Sequence, residues 1–254
     1  MELDTSKNAM QNLVSVYDEL KAVKAKRQRI LAEIEKTKSE LEREEKIAAK
    51  PKSNSKSQKK KSKKKKWWSG YRSFVTTNGF RVVAGKNAKQ NDELYAKQLG
   101  EPDLFFHADI QGAPTVILKN GLNADKKDIL DCAQWAACFS SAWKTGAAVV
   151  DVYAVEKSQV SKHSSGGYIG RGAFAIEGER RWFRKTELKL KIGKLDDEVL
   201  ILPFIHDTKL EKLVSIKPGS IDKEVAAIKL SAHLSCKKDL VLQLLPNGGI
   251  ALSI

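Results

Sequence analysis

The chain has 254 residues, with 46 Lys and Arg against 31 Asp and Glu and a formal net charge of +15. Hydrophobic residues make up 41% of it, which is enough for a packed core and excludes disorder throughout. No run approaches the ~20 apolar residues of a membrane span, the start MELDTSKNAMQNL has no secretory pattern, and Cys132, Cys138 and Cys236 lack the CxxC spacing of a disulfide framework or zinc site. The composition therefore points to a basic cytoplasmic protein with no membrane association.

Residues 1–49 carry ten basic and ten acidic groups. Leu13, Leu20, Ile34, Leu41 and Ala48 fall on one heptad position, and Val16, Val23, Ile30 and Thr37 follow three behind. That spacing predicts a long coiled-coil helix interrupted by Arg27 and Thr37 and stopped by Pro51. Such a seam cannot be buried alone, so a partner chain or a homodimer is expected. Residues 50–66 (KPKSNSKSQKKKSKKKK) hold ten lysines and no acid. With no aliphatic or aromatic side chain to bury, the segment is expected to be a disordered linker. Its lysines, Lys59, Lys60, Lys61, Lys63, Lys64, Lys65 and Lys66 among them, suit a polyanion, because counterion release rewards charge irrespective of sequence.

From Trp67 the pattern becomes that of a folded domain. Two β-rich runs flank Asn78-Gly79, the strongest short hairpin signal. A helix is predicted over 87–99 with Asn87 as N-cap, then strands at 104–108 and 115–118 and a helix over 125–143. Strands follow at 149–155, 173–176, 180–184, 188–192, 199–204 and 213–216, then a helix near 222–235 and a hairpin-like end over 240–254. This order predicts an α+β fold, a mixed sheet with a few helices, preceded by the coiled-coil helix. The expected parts are 1–49, 50–66, a domain over 67–192 and a β-rich extension with one helix over 193–254.

Three segments carry candidate chemistry. In LFFHADIQGAP, alternation puts Phe105, His107 and Asp109 on one face of a strand, where they can stack a base and bond its edge. The plainer reading, that His107 and Asp109 hold neighbouring turns, is the favoured one. Lys86, Asn87, Lys89, Gln90 and Asn91 open the first helix and suit a phosphate or ribose edge, although capping alone explains Asn87. The glycine-rich stretch 161–172 offers Lys162, His163 and Arg171 around a possible anion nest, or serves as a plain connection. No G-x-S-x-G, H-E-x-x-H or paired-carboxylate motif and no metal-ligand spacing of the four histidines is present, so neither an enzyme nor a metal site is expected. Among the tryptophans, Trp182 stands out because Arg180, Arg181, Arg184 and Lys185 surround it.

The blocks FVTTNGFRVVAGKNAKQNDEL, DLFFHADIQGAPTVILKN, Ala136 to Gly146, and VYAVEKSQVSKHSSGGYIGRGAFAIEG resemble, in order and spacing, the NFACT-R domain over roughly residues 67–190. FHAD, GAP, QVSK and GAF are closer to its archaeal and eukaryotic members. Residues 3–42 are similar to the coiled-coil arm that precedes this domain, and SIKPGS and LLPNGG to the segment that follows it in archaeal relatives. The chain thus resembles the C-terminal half of an RqcH-like ribosome quality control factor. The resemblance implies an RNA-binding module that works on the large ribosomal subunit and tRNA in the rescue of stalled nascent chains. It needs no cofactor and takes no small-molecule substrate. Lys86, Asn87, Gln90, Asn91, His107, Asp109, Ser161, Lys162 and Gly172 sit in the family's motif blocks. The family's N-terminal NFACT-N and helix-hairpin-helix parts have no counterpart here, and the lysine run stands where the returning coil is expected. Both points suggest a separate chain supplying that half. The alternative is a coiled-coil adaptor, or a DNA-binding protein with no ribosomal role.

Overall fold

The computed structural model describes residues 66–164 and 167–253, together with 8–10, 13, 16, 20, 21, 23, 24, 27, 28 and 31. The chain divides into two compact units, Met1–Ser62 and Lys63–Ile254. The coiled coil expected over 1–49 and the linker over 50–66 lie largely outside the described residues. The described positions from Ala9 to Leu31 are helical, and Met10, Leu13, Leu20, Val23 and Leu31 are exposed.

In the second unit, a 3-10 turn at Trp67–Gly70 leads into β1 (Arg72–Val75) and β2 (Arg81–Ala84). These pair antiparallel across the Asn78-Gly79 turn, where Gly79 adopts φ 91°, a conformation that suits a residue without Cβ. α1 (Ala88–Lys97) crosses to β3 (Leu104–Ala108), and β4 (Val116–Leu118) follows. α2 (Lys126–Cys138) and α3 (Ser141–Lys144) then cross to β5 (Val149–Glu156). Four two-residue strands come next: β6 (Val160–Ser161), β7 (His163–Ser164), β8 (Gly167–Tyr168) and β9 (Ala175–Ile176). β10 (Arg181–Glu187) closes the main sheet. β11 (Leu190–Leu195), β12 (Glu198–Pro203), β13 (Glu211–Ile221), α4 (Lys223–Leu234), α5 (Lys238–Leu244) and β14 (Ile250–Ser253) complete the fold.

The main sheet has the order β1-β2-β4-β3-β5-β10, and a second sheet has the order β12-β11-β13-β14. All pairings among the described residues are antiparallel, so the sheet is not mixed as expected. The reason is topological. Each helical crossover, β2 to β3 and β4 to β5, skips one position, and the strand filling the gap runs the other way. The result is an α+β fold with antiparallel sheets and five helices in this unit.

The main sheet is buried on both faces. Val83, Phe105, Ile117, Tyr153 and Val155 pack with Leu94 and Leu99 around α1. Val82, Ala84, Leu104, Phe106 and Val116 face α2, which the second sheet covers from behind. Cys132, Ala133, Ala136 and Ala137 are small enough to let α2 lie between the layers. Its buried Gln134 ties them together, donating to the Glu187 carbonyl at 3.3 Å and accepting from Ile205 N at 3.1 Å. An Asp125/Asp128 capping box starts this helix, and the Asp128 carboxylate also receives Asn78 Nδ2 at 3.0 Å, which docks the hairpin turn.

Two expected elements come out differently. The helix expected over 125–143 breaks at Phe139, because Ser140 caps a new turn by accepting from Ala142 N. The end is not a hairpin: α5 occupies 238–244, and the Pro246-Asn-Gly-Gly turn delivers β14 to the edge of β13. The extension therefore carries two helices, and the boundary expected at 192/193 falls inside β11. No helix among the described residues is long and apolar enough to cross a membrane.

Candidate nucleic-acid interface

The β2–α1 junction builds one wall of an open cleft of about 640 Å³. Gly85 must lack a Cβ because Asn91 Oδ1 fills that space on its way to the Thr115 amide, from which it accepts at 3.1 Å. Asn87 caps α1 by accepting from Gln90 N at 2.9 Å, and Gln90 Oε1 accepts from Lys86 N at 2.9 Å. These reciprocal bonds leave the Lys86 side chain exposed at the mouth. The opposite wall comes from the glycine-rich stretch. Gly172, at φ 78°, approaches Ala88 so closely that a Cβ would sit 2.7 Å from that methyl, and its amide donates to Asp92 Oδ1 at 3.0 Å.

The floor is aromatic. His107 lies opposite Tyr153 in the β3–β5 register, with ring centroids 5.9 Å apart, and is parallel to Phe105 at 6.2 Å. Phe174 packs on Phe105 at 5.6 Å. Burial pushes the His107 pKa down, against hydrogen bonds with backbone groups of Ala108 and Ala113. At neutral pH it is a neutral stacking and hydrogen-bonding group. Among the described residues, Arg72, Lys86, Lys144 and Arg171 line the cleft and no carboxylate does. Burial, and for Lys86 also the Arg72 charge, pushes the pKa values of Arg72 and Lys86 down.

Of the residues expected from the sequence, the cleft brings together Lys86, Asn87, Asn91, His107 and Arg171. Asn87, Gln90 and Asn91 already carry structural bonds. Lys89 is exposed on α1 and does not line the cleft. Asp109 is exposed beyond β3, its amide bonded to the Asp151 carbonyl at 2.8 Å. Lys162 binds inward: its amine pairs with Asp92 at 2.5 Å, donates to the Ala173 carbonyl at 2.8 Å and lies 4.3 Å from the Phe174 ring centre. His163 sits in β7, outside the cleft lining. Lys66 is exposed, 5.5 Å from the Trp68 ring centre. Lys59, Lys60, Lys61, Lys63, Lys64 and Lys65 lie outside the described residues. Sequence reasoning missed Arg72, Lys144, Tyr153 and Phe174. Arg72 stands in a four-residue strand whose burial pattern marks only Phe74 as fully buried, so no local signal singles it out.

Trp182 forms a second basic-aromatic patch on β10, with Arg184 3.8 Å and Arg180 5.7 Å from its ring centre. Arg180 is also 4.7 Å from the Tyr153 ring.

Residues 70–178 match the family described as NFACT protein RNA binding domain. This stretch spans the cleft's β2–α1, β3, β5 and glycine-rich elements. The folded unit carries an NFACT-R domain. Over 194 residues the chain is 36% identical to the archaeal Rqc2 homolog aRqcH of Methanocaldococcus jannaschii, covering 72% of this chain and 29% of that protein. Over 166 residues it is 30% identical to the ribosome quality control complex subunit NEMF homolog of Drosophila melanogaster, covering 63% of this chain and 16% of the relative. The chain thus spans less than a third of the length of these relatives. A solved structure of the C-terminal part of the fibronectin/fibrinogen-binding protein from Streptococcus suis is 29% identical with a TM-score of 0.40, covering 46% of each chain.

Proposed function

We propose that this chain is an RNA-binding module of ribosome-associated quality control, acting with the large ribosomal subunit and tRNA in the cytoplasm. One observation carries the RNA reading: four cations and an aromatic floor share one NFACT-R cleft that, among the described residues, holds no carboxylate. Phosphates are drawn by the cations and an unstacked base by the ring faces, the combination that single-stranded RNA requires. The ten lysines of 50–66 add affinity that is independent of sequence. The ribosomal assignment is supported by the names of the relatives.

Binding, not catalysis, is the proposed activity, since the cleft pairs no nucleophile with a base. The exposed Leu13, Leu20 and Val23 support a partner for the N-terminal seam, either a second copy or a chain supplying the remaining half of the longer relatives. The test is a lysate density gradient of the tagged chain, followed by sequencing of the RNA that co-purifies. Migration with large subunits and enrichment of tRNA is the expected result. Protein left at the top of the gradient with no selected RNA refutes the ribosomal role.

A further inference from the structure

Two cations that line the cleft, Arg72 and Lys86, are joined by a third from a distant part of the chain, Lys223, which reaches the cleft through its bond to Asn247. Arg72 belongs to β1, Lys86 to the β2–α1 junction and Lys223 to the first turn of α4, outside the stretch matched by the RNA-binding domain. The Arg72 guanidinium lies 4.8 Å from the Phe139 ring centre, and its Nε is enclosed without a hydrogen-bond partner. Among the described residues none of the three forms an ion pair. Lys223 is half-buried and donates to Asn247 Oδ1 at 3.0 Å, and Asn247 itself lines the cleft. The two acids beside Lys223 in the sequence make other contacts: Asp222 caps α4 by accepting from Glu224 N at 2.7 Å, and Glu224 faces Lys238 at 3.9 Å.

The segment that brings Lys223 and Asn247 here is firmly seated. Trp143 Nε1 donates to the Gly249 carbonyl at 3.1 Å, and Gly248, at φ 131°, lies where a Cβ would be 2.8 Å from Lys144 Cα. Burial and the Arg72 charge both push the pKa values of Lys86 and Lys223 down, the direction that like charges gathered at one place impose. An anion at this point offsets those charges. A phosphate offers oxygens to a guanidinium and two ammonium groups at once.

We infer that Arg72, Lys86 and Lys223 form a phosphate subsite at the seam between the NFACT-R domain and the C-terminal segment, so that α4 takes part in RNA binding. The inference rests on the proposed RNA-binding function and extends the binding surface past residue 178. The shared ligand chemistry is phosphate, from an RNA backbone or a free phosphate ion.

The test compares the full chain with Lys223→Gln and Lys86→Gln, using Lys89→Gln, at an exposed lysine of α1 that does not line the cleft, as a control. Two probes are used: inorganic phosphate, read as a shift in thermal midpoint, and a labelled single-stranded 12-nucleotide RNA, titrated at several salt concentrations. Without anion at low salt, the Lys223→Gln and Lys86→Gln variants unfold no earlier than wild type, because one repelling charge is gone. Phosphate stabilises wild type and stabilises the two variants much less. The slope of log affinity against log salt falls by about 0.7 in each variant, the equivalent of one single-strand phosphate, and the control changes less. A Lys223→Gln chain that keeps the full phosphate response and the full RNA slope overturns the inference. If wild type binds no RNA while phosphate stabilisation still depends on Lys223, the subsite stands and the RNA reading fails. If wild type responds to neither probe, the subsite falls.

Discussion

Asp131 is the most consequential buried ionisable group outside the cleft. It projects from α2 toward the hairpin and the loop after β12, is 2% exposed, and its Oδ2 has no hydrogen-bond partner. Burial pushes its pKa from 3.8 up to about 7, aided by the charges of Asp128 and Asp207 and opposed by a hydrogen bond from the Thr77 backbone and the Lys191 charge. His206 does not neutralise it. His206 Nε2 lies 3.8 Å from Asp131 Oδ2 but 3.0 Å from the Val75 carbonyl, and Nδ1 accepts from Thr208 N at 3.1 Å. That network requires the neutral ring with its proton on Nε2, and burial pushes the His206 pKa down accordingly.

A carboxyl whose folded pKa is raised binds its proton more tightly in the folded state. Its stabilisation is present at low pH and is lost as pH rises through the folded value. For a shift of this size, about 2.5 kcal/mol is lost between about pH 5 and pH 8. Asp131→Asn keeps the shape, retains an acceptor for Thr77 N–H and abolishes the titration. His206, whose lowered pKa makes stability fall with acid instead, is present in both proteins and cancels in their difference. Urea unfolding of both chains across this range should show the variant gaining on wild type by about 2.5 kcal/mol as pH rises. A difference that does not change with pH refutes the assignment of Asp131 as a strained buried carboxyl.

Four further outcomes follow from the geometry. Removing residues 52–66 weakens RNA binding and lowers the salt slope by about 0.7–0.9 for each phosphate no longer neutralised, read in the same titration; an unchanged slope counts against the linker. Gly172→Ala costs about 2 kcal/mol in urea unfolding, because φ 78° disfavours a Cβ and Ala88 stands in its way; a neutral result contradicts the close approach. Asn91→Ala costs about 1–3 kcal/mol by leaving the buried Thr115 amide unpaired, whereas Lys86→Gln leaves stability unchanged and weakens RNA binding. His107→Ala reduces RNA affinity by about 1 kcal/mol without a pH step near neutrality, since the ring is already uncharged; a step there shows that it binds as a cation.

Local chemistry made much of the fold legible. Asn78-Gly79 marks the hairpin and Asn87 the start of α1, because each acts on residues within a few positions of itself. The failures are non-local. The 125–143 run reads as one helix because its small and apolar residues keep the period across Phe139, and only the Ser140 cap ends it. The antiparallel character of the sheet depends on which strand fills a gap, which no local pattern records. In the cleft, Lys86, His107 and Arg171 were legible from their motifs. The amides of Asn87, Gln90 and Asn91 proved to hold the loop itself. Arg72 and Lys223 lie far apart in the sequence, and the effect of the Arg72 charge on Lys223 arises only through tertiary folding, so it has no trace in spacing.

Ultraviolet crosslinking of the full chain to RNA, with the modified peptides read by mass spectrometry, tests the central claim most directly. The account predicts crosslinks within the cleft, at peptides carrying Lys86, His107, Tyr153 or Phe174, in addition to the lysine run. Crosslinks confined to residues 50–66, with none in the cleft, would contradict it and reduce the folded domain to a scaffold for a polycation.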